Sequence, residues 1–332
     1  MMLNISIKKL EQLKKKFIGK KIAVVGDMML DGYFWGGVKR ISPEAPVPIV
    51  EIDNEIFRFG GAMNVANNIL SLGATPIPIG LIGDDNDGKI FKQLLKEKNI
   101  IPDAIITEKG RPTTTKTRVI ADNQHIVRID KEKTHPIKLA TEKKIMNFLT
   151  DIINDLDAII LEDYNKGVLT KSLIQSVIKL ANQKNIIITV DPKFDNFFEY
   201  KNVTVFKPNR KETEDAFGIR IVTNEDITNA GKRILEILKS KYVILTLGEK
   251  GLAIFENGKS ERKISTKARK VADVSGAGDT VISTLTVALA AGADIYQASY
   301  LANFAAGIVC QEVGIVPIEL DALFNAVKSE LK

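Results

Sequence analysis

The chain is poor in the residues that carry redox and metal chemistry. Among its 332 residues there is one cysteine, Cys310. A lone thiol excludes an internal disulfide and fits a reducing cytoplasm. There are two histidines, His125 and His135. Neither has the partner set of a metal site or a catalytic triad. No apolar run approaches the about 20 residues needed to cross a bilayer. The Lys/Leu-rich amphipathic start, residues 5–20, lacks the apolar core of an export signal. A cytoplasmic protein without a membrane partner is therefore expected. Charge of one sign is also scarce: 47 Lys and Arg face 41 Asp and Glu, for a net charge of +6. The lysines are scattered or lie on helix faces, without the basic, aromatic-interleaved face of a nucleic-acid binder. Repeats, low-complexity segments and a dividing linker are missing too. With 45% hydrophobic and 27% charged residues, residues 1–332 read as one globular domain.

What is present begins with Asp273-Val-Ser-Gly-Ala-Gly-Asp-Thr280. It is followed by eleven residues without charge (Val281 onward). A glycine-rich turn here opens a buried helix that stops near Gly292. First-turn amides lack helical partners and carry the positive end of the macrodipole, and glycine lets a phosphate approach them. A carboxylate at such a mouth makes sense if Asp279 takes a proton from a hydroxyl attacking that phosphate. The plainer alternative is a helix start capped by Asp and Ser.

Elsewhere short apolar runs alternate with amphipathic helices. Strands are expected at 21–27, 75–83, 157–163, 186–191, 203–206 and 242–248. Helices are expected at 8–17, 61–73, 89–98, 139–156, 170–184, 225–240, 294–311 and 318–331. The pattern predicts an α/β fold, a mostly parallel sheet with helices on both faces. Asp27, Asp163, Asp191, Asn209 and Gly248 each follow an apolar run, so they gather at the edge where such sheets bind ligands. Taken singly, Asp27 and Asp31 are equally well explained as loop caps. The acidic run 83–88 reads as a capped turn, since it lacks the ligand spacing of a calcium loop.

Two β-rich excursions interrupt the alternation. Residues 33–59 carry Gly36-Gly37 and a Pro-rich segment that forbids a helix or a central strand. Residues 113–130 form two extended runs turning at Asp122-Asn123. Together they read as a small sheet over the site, made basic by Lys116, Arg118 and Arg128. A surface excursion, a lid and a dimer contact all fit 33–59. Gly60-Gly61 and Asn64 open a small-residue helix, which allows either close packing or sugar binding through N–H groups and an amide. A hairpin through Asn257-Gly258 is expected at 253–265.

Gathered in order, these segments resemble the ribokinase-like (PfkB) carbohydrate kinases over nearly the whole chain. The matching motifs are Phe59-Gly-Gly-Ala-Met-Asn64, Lys207-Pro-Asn-Arg-Lys-Glu212, Thr246-Leu-Gly-Glu-Lys-Gly251 and Asp273-Val-Ser-Gly-Ala-Gly-Asp279. Within the family the chain is most similar to D-glycero-β-D-manno-heptose-7-phosphate kinases, including the kinase half of bifunctional ADP-heptose synthesis proteins. That likeness rests on Gly26-Asp-Met-Met-Leu-Asp31, Arg40-Ile-Ser-Pro-Glu-Ala-Pro-Val-Pro48, Asn123-Gln124 with Arg128-Ile-Asp130, Asp163-Tyr-Asn-Lys-Gly167 and Asp191-Pro-Lys193.

The resemblance implies a three-layer ribokinase-like sandwich with a β-lid, from about 33–59 and 113–130, that often joins two copies as a homodimer. It implies ATP-dependent phosphorylation of the anomeric hydroxyl of heptose 7-phosphate, with Mg²⁺, for ADP-heptose and lipopolysaccharide-core synthesis. Asp279 is then the general base, and the Ser275, Gly276, Ala277 and Gly278 backbone the anion hole. Asn209 and Glu212 help place Mg²⁺ and phosphates, Glu212 indirectly. Thr246, Gly248 and Gly251 border the nucleotide, and Asn303 lies near its adenine end. Asp31, Gly60, Gly61 and Asn64 hold sugar hydroxyls. Arg118, Lys166 and Lys193 are assigned to the distal phosphate and lid closure. Two positions depart from the pattern: Ser275 where the family often has Thr, and Lys207 where heptose kinases often have Thr, which adds a phosphate contact or is simply solvated. The sequence carries one kinase domain, so a separate adenylyltransferase is expected. The rival expectations are a kinase for another sugar or sugar phosphate, and a non-catalytic sugar-phosphate sensor.

Overall fold

The computed structural model describes residues 5–122, 124–266, 271–312 and 314–331. Asn123, at the tip of the expected hairpin turn, lies outside them. The main sheet has nine strands in the order β13-β12-β11-β10-β9-β8-β1-β4-β5. Its centre is the parallel set β1 (Lys21–Gly26), β4 (Thr75–Gly83), β8 (Ala158–Glu162), β9 (Ile187–Asp191), β10 (Val205–Phe206) and β11 (Tyr242–Thr246). β5 (Ile105–Glu108) extends one side in parallel. The antiparallel hairpin β12 (Leu252–Glu256) and β13 (Arg262–Ile264) closes the other.

Strand side chains alternate between faces, and here both faces are apolar, as a parallel sheet under two helix layers requires. Ile22 and Val24 of β1, Ile160 of β8 and Ile244 of β11 enter one core. Ala23, Val25, Ile159, Leu161, Val243 and Leu245 enter the other. The first core is covered by α1 (Ile7–Phe17), α2 (Ala62–Ser71), α3 (Asn86–Glu97), α8 (Ala277–Ala290), α9 (Ile295–Val309) and α10 (Leu320–Glu330). The second is covered by α4 (Leu139–Ile152), α5 (Lys171–Gln183) and α7 (Asn224–Leu238), with the end of short α6 (Arg210–Phe217) packed against it.

The excursions form a separate four-stranded sheet, β3-β2-β6-β7. It comprises β2 (Met28–Ile41), β3 (Pro48–Gly61), β6 (Thr114–Ala121) and β7 (Gln124–Lys131). β2 and β6 run parallel, and the outer pairs are antiparallel. The lid strands are longer than expected, so Asp31, Gly60 and Gly61 belong to the lid itself. Two elements escape the sequence reading. β5 has only four residues, and α6 is a mostly polar helix whose Pro-Asn start resembles a loop. Residues 153–155 form a 3₁₀ turn in place of the last turn expected for α4.

Candidate active site

Asp279 lies in the first turn of α8 and is 5% exposed. Gly276 caps that helix with φ 77°, a left-handed conformation suited to glycine. A Cβ there would also stand 3.0 Å from the Asn64 amide nitrogen. The close approach has a use, because Asn64 Nδ2 donates to Asp279 Oδ2 at 2.7 Å. On the other oxygen, the Tyr164 hydroxyl donates to Oδ1 at 2.8 Å. Burial lifts Asp279 to about 6, against the pull of these two hydrogen bonds. Burial and the Asp279 charge keep the Tyr164 phenol well above its ordinary pKa, so it acts as a donor. In the turn before α8, Asp273 accepts from the Ser275 and Gly314 amides at 2.9 and 3.1 Å. The Ala277 N–H already donates to Val274 O at 3.2 Å. That leaves the Gly278 and Asp279 amides of the first turn without a helical acceptor.

Asp279 forms one wall of a cavity of about 690 Å³. It runs past Gly276, Ala277 and Gly278 to Asn209, Glu212, Thr246, Gly248, Gly251 and Asn303. The expected nucleotide-side residues are thus brought together; Ser275, placed with them by the sequence, instead lines a second cavity of about 650 Å³ with Tyr33, Trp35, Arg58, Arg118 and Asp273. Asn209 and Glu212 also cap α6 reciprocally: Asn209 Oδ1 accepts from Glu212 N, and Glu212 Oε2 from Asn209 N, both at 2.8 Å. The other Glu212 oxygen pairs with Lys193 Nζ. Asn303 Nδ2 donates to Ser265 O at 2.8 Å, and Asn209 bridges to Thr246.

On the lid side, Asp31 pairs with Arg118 at 2.6 Å. A Cβ on Gly60 would stand 2.1 Å from Asp31 Oδ2, so only glycine leaves room for that carboxylate. Gly61, at φ 56°, turns the chain from β3 into α2 and presents Asn64. Lys166 pairs with Glu132 at 2.8 Å. The three cations expected at the distal phosphate, Arg118, Lys166 and Lys193, therefore each carry a carboxylate already.

Tyr164 and Glu162 are given no role by the sequence reading, and Lys207 is left there between a phosphate contact and a solvated side chain. Tyr164 stands in the motif Asp163-Tyr-Asn-Lys-Gly167, directly after a strand-end Asp, which by itself assigns it no role. Lys207 is not solvated: it is 2% exposed, lines the cavity and pairs with Asp191 Oδ2 at 2.8 Å. Burial opposes its charge, but Asp191 and Glu212 raise its pKa above that of a free lysine. Glu162 read as one more residue of the buried strand expected at 157–163. One oxygen each of Glu162, Asp191 and Asp279 lie within 4.8 Å of one another. Glu162 Oε2 and Asp191 Oδ1 are buried without a hydrogen-bond partner among the described residues. Burial first, then the Asp191 and Asp279 charges, push Glu162 well above the usual carboxylate range. Unpartnered hard oxygen donors beside a cavity fit a divalent cation such as Mg²⁺.

Two other strand-end carboxylates do different work. Asp27 accepts from the Tyr164, Lys166 and Val168 amides at 2.9–3.1 Å. Asp163 accepts from the Tyr200 hydroxyl, the Asn165 amide and the Asn196 side chain. Both secure the loop after β8 that carries Tyr164. Of the described helices, none is long and apolar enough to cross a membrane.

Comparison with known proteins places the chain in a family. Residues 19–320 match the family described as pfkB family carbohydrate kinase. A bifunctional protein HldE from Helicobacter pylori (strain P12) is 43% identical over 308 residues, covering 92% of this chain and 66% of that protein. A second HldE, from Syntrophotalea carbinolica, is 39% identical over 303 residues, covering 91% and 62%. The chain thus spans 62–66% of these relatives' lengths. Among solved structures, Arabidopsis thaliana ribokinase complexed with ribose and ATP superposes with a TM-score of 0.75 at 19% identity, covering 94% of this chain and 99% of that one. Phosphofructokinase-2 from Escherichia coli in complex with potassium gives 0.77 at 18%, covering 95% and 100%. At such identities the two structures speak for the fold alone, which is ribokinase-like. By its family match the chain belongs to the pfkB carbohydrate kinases, enzymes that use ATP to phosphorylate a sugar or sugar phosphate.

Proposed function

We propose that the chain transfers the γ-phosphoryl group of ATP to the C1 hydroxyl of D-glycero-β-D-manno-heptose 7-phosphate, giving the 1,7-bisphosphate, in the cytoplasm. The observation that carries the reaction class is Asp279: a buried carboxylate, gripped by Asn64 and Tyr164, at the glycine-rich mouth of α8 and on the wall of the nucleotide-side cavity. The choice of sugar is supported by the likeness to proteins named HldE and by the Pro-rich lid segment.

In this reading the sugar lies between Asp279 and the lid, its hydroxyls facing Asp31, Asn64 and the Gly60-Gly61 backbone. ATP lies along Asn209, Thr246, Gly248, Gly251 and Asn303, its γ-phosphate against the first turn of α8. Asp279 takes the C1 hydroxyl proton as that oxygen bonds to the γ-phosphorus. The bond from phosphorus to the bridging oxygen breaks, and ADP leaves. Phosphoryl transfer needs positioning and charge stabilisation above all. The turn amides and the buried Lys207 ammonium supply both. Glu162 and Asp191 would hold Mg²⁺, which neutralises phosphate charge when bound; Glu212 acts indirectly, by holding Lys193 and the Asn209 turn. An anomeric hydroxyl is more acidic than an ordinary alcohol, so a carboxylate near 6 suffices as its base. Exposed Ile52, Val127 and Ile129 on the lid support a homodimer joined through it.

An ATP-coupled assay across sugars and sugar phosphates tests the assignment. Turnover should be best on heptose 7-phosphate. Equal or better turnover on a sugar without a distal phosphate would sink it.

A further inference from the structure

Lys116 of β6 differs from the lid and strand-end cations Arg118, Lys166, Lys193 and Lys207, each of which pairs with a carboxylate. In register it sits beside Asp31 of β2 and Asp130 of β7. Side chains on one strand share a face at every second residue. Lys116 is thus on the face that carries Arg118, and that face looks inward, because Lys116 Nζ stands 5.3 Å from the Tyr164 ring centroid. The Tyr164 hydroxyl in turn holds Asp279. The ammonium and the base therefore meet the same tyrosine, one over its ring and the other at its hydroxyl.

Its neighbours offer it no anion. Asp31 is paired with Arg118 at 2.6 Å, Asp130 with Arg128 at 2.8 Å, and Glu132 with Lys166 at 2.8 Å. Lys193 is occupied by Glu212 and Lys207 by Asp191. Lys116 Nζ makes no hydrogen bond or ion pair among the described residues. Burial first, then the like charge of Lys166, hold its pKa below that of a free lysine. Two neighbouring ammonium groups with one carboxylate between them make a site short of one anion. A phosphate monoester, with up to two negative charges and three acceptor oxygens, meets that need.

We infer that Lys116, assisted by Lys166, is the subsite for the distal phosphate of the sugar substrate and sets the preference for a phosphorylated sugar. The sequence pointed instead to Arg118, Lys166 and Lys193, each of which already pairs with a carboxylate; Lys166 enters here only as a neighbouring positive charge. The inference rests on the sugar-phosphate reading above and adds the residue that makes the choice.

The test is a ratio. Values of kcat/KM are measured for heptose 7-phosphate and for the unphosphorylated heptose, with wild type, Lys116→Met and Lys116→Arg. Wild type should prefer the phosphorylated sugar. In Lys116→Met that preference should fall by about 10- to 100-fold, the weight of one charge-assisted contact, with KM for ATP unchanged. Lys116→Arg should keep most of it, which a packing role would not predict. An undiminished preference in Lys116→Met, or an equal loss on both sugars, overturns the inference. A wild type with no preference overturns the sugar-phosphate reading itself, a different result in the same assay.

Discussion

Two sets of carboxylates stand on the same edge of the main sheet. Asp27 and Asp163 follow β1 and β8, and their oxygens are taken up by backbone amides and by the Tyr200, Asn165 and Asn196 donors. Glu162, Asp191 and Asp279 crowd together, with two buried oxygens left without partners. Position at the strand ends is common to Asp27, Asp163, Glu162 and Asp191, with Asp279 of α8 packed beside them; saturation is not. Buried polar atoms are normally paired, so the unsaturated set is where a ligand belongs. The saturated set builds the scaffold, the loop that aims Tyr164 at Asp279.

Substitutions can break this division. The largest effect should follow Asp279→Asn. Losing a positioned base should lower kcat by roughly 10²–10⁴, while calorimetry finds ATP binding largely intact. Lys207→Met should come next, by destabilising the fold. It strands the buried Asp191 carboxylate, a loss of about 3–5 kcal/mol, read as a drop in the denaturant midpoint. Asp27→Ala removes one acceptor from three amides. It should cost about 2–3 kcal/mol and lower kcat through the freed Tyr164 loop, with ATP affinity unchanged. If it weakened ATP binding as much as catalysis, Asp27 would belong with the ligand-facing set.

Tyr164→Phe should be mildest, lowering kcat about tenfold, the weight of one hydrogen bond to a charged group, and it carries a signed pH effect. Asp279 must be ionised to act, so kcat/KM should be lost as pH falls through about 6. A bound cation near the carboxylate would draw that limb lower. The Tyr164 hydrogen bond lowers the Asp279 pKa, so removing it should move the limb to higher pH. A limb that stays in place would mean that Tyr164 does not tune the base.

Much of this was legible in the sequence because it rests on local chemistry. The strand-helix alternation, the turn before α8 and the Asp279 mouth depend on neighbouring residues. The saturation of a carboxylate does not. Asp27 meets its donors some 140 residues on, Lys207 is distinguished by a partner on another strand, and Lys116 by the pairing of every carboxylate around it. Glu162 was hidden because a buried acid in an apolar run reads like any other strand residue. The short β5 and the polar α6 were missed for lack of periodicity.

The central claim is that this chain phosphorylates C1 of heptose 7-phosphate with Asp279 as base. Phosphorus NMR of the enzyme with ATP, Mg²⁺ and heptose 7-phosphate tests it most directly. The account predicts a new phosphomonoester resonance coupled to the anomeric proton, growing as ADP forms and nearly missing with Asp279→Asn. A new phosphate coupled to a proton on any other carbon, or undiminished transfer by the variant, would contradict it.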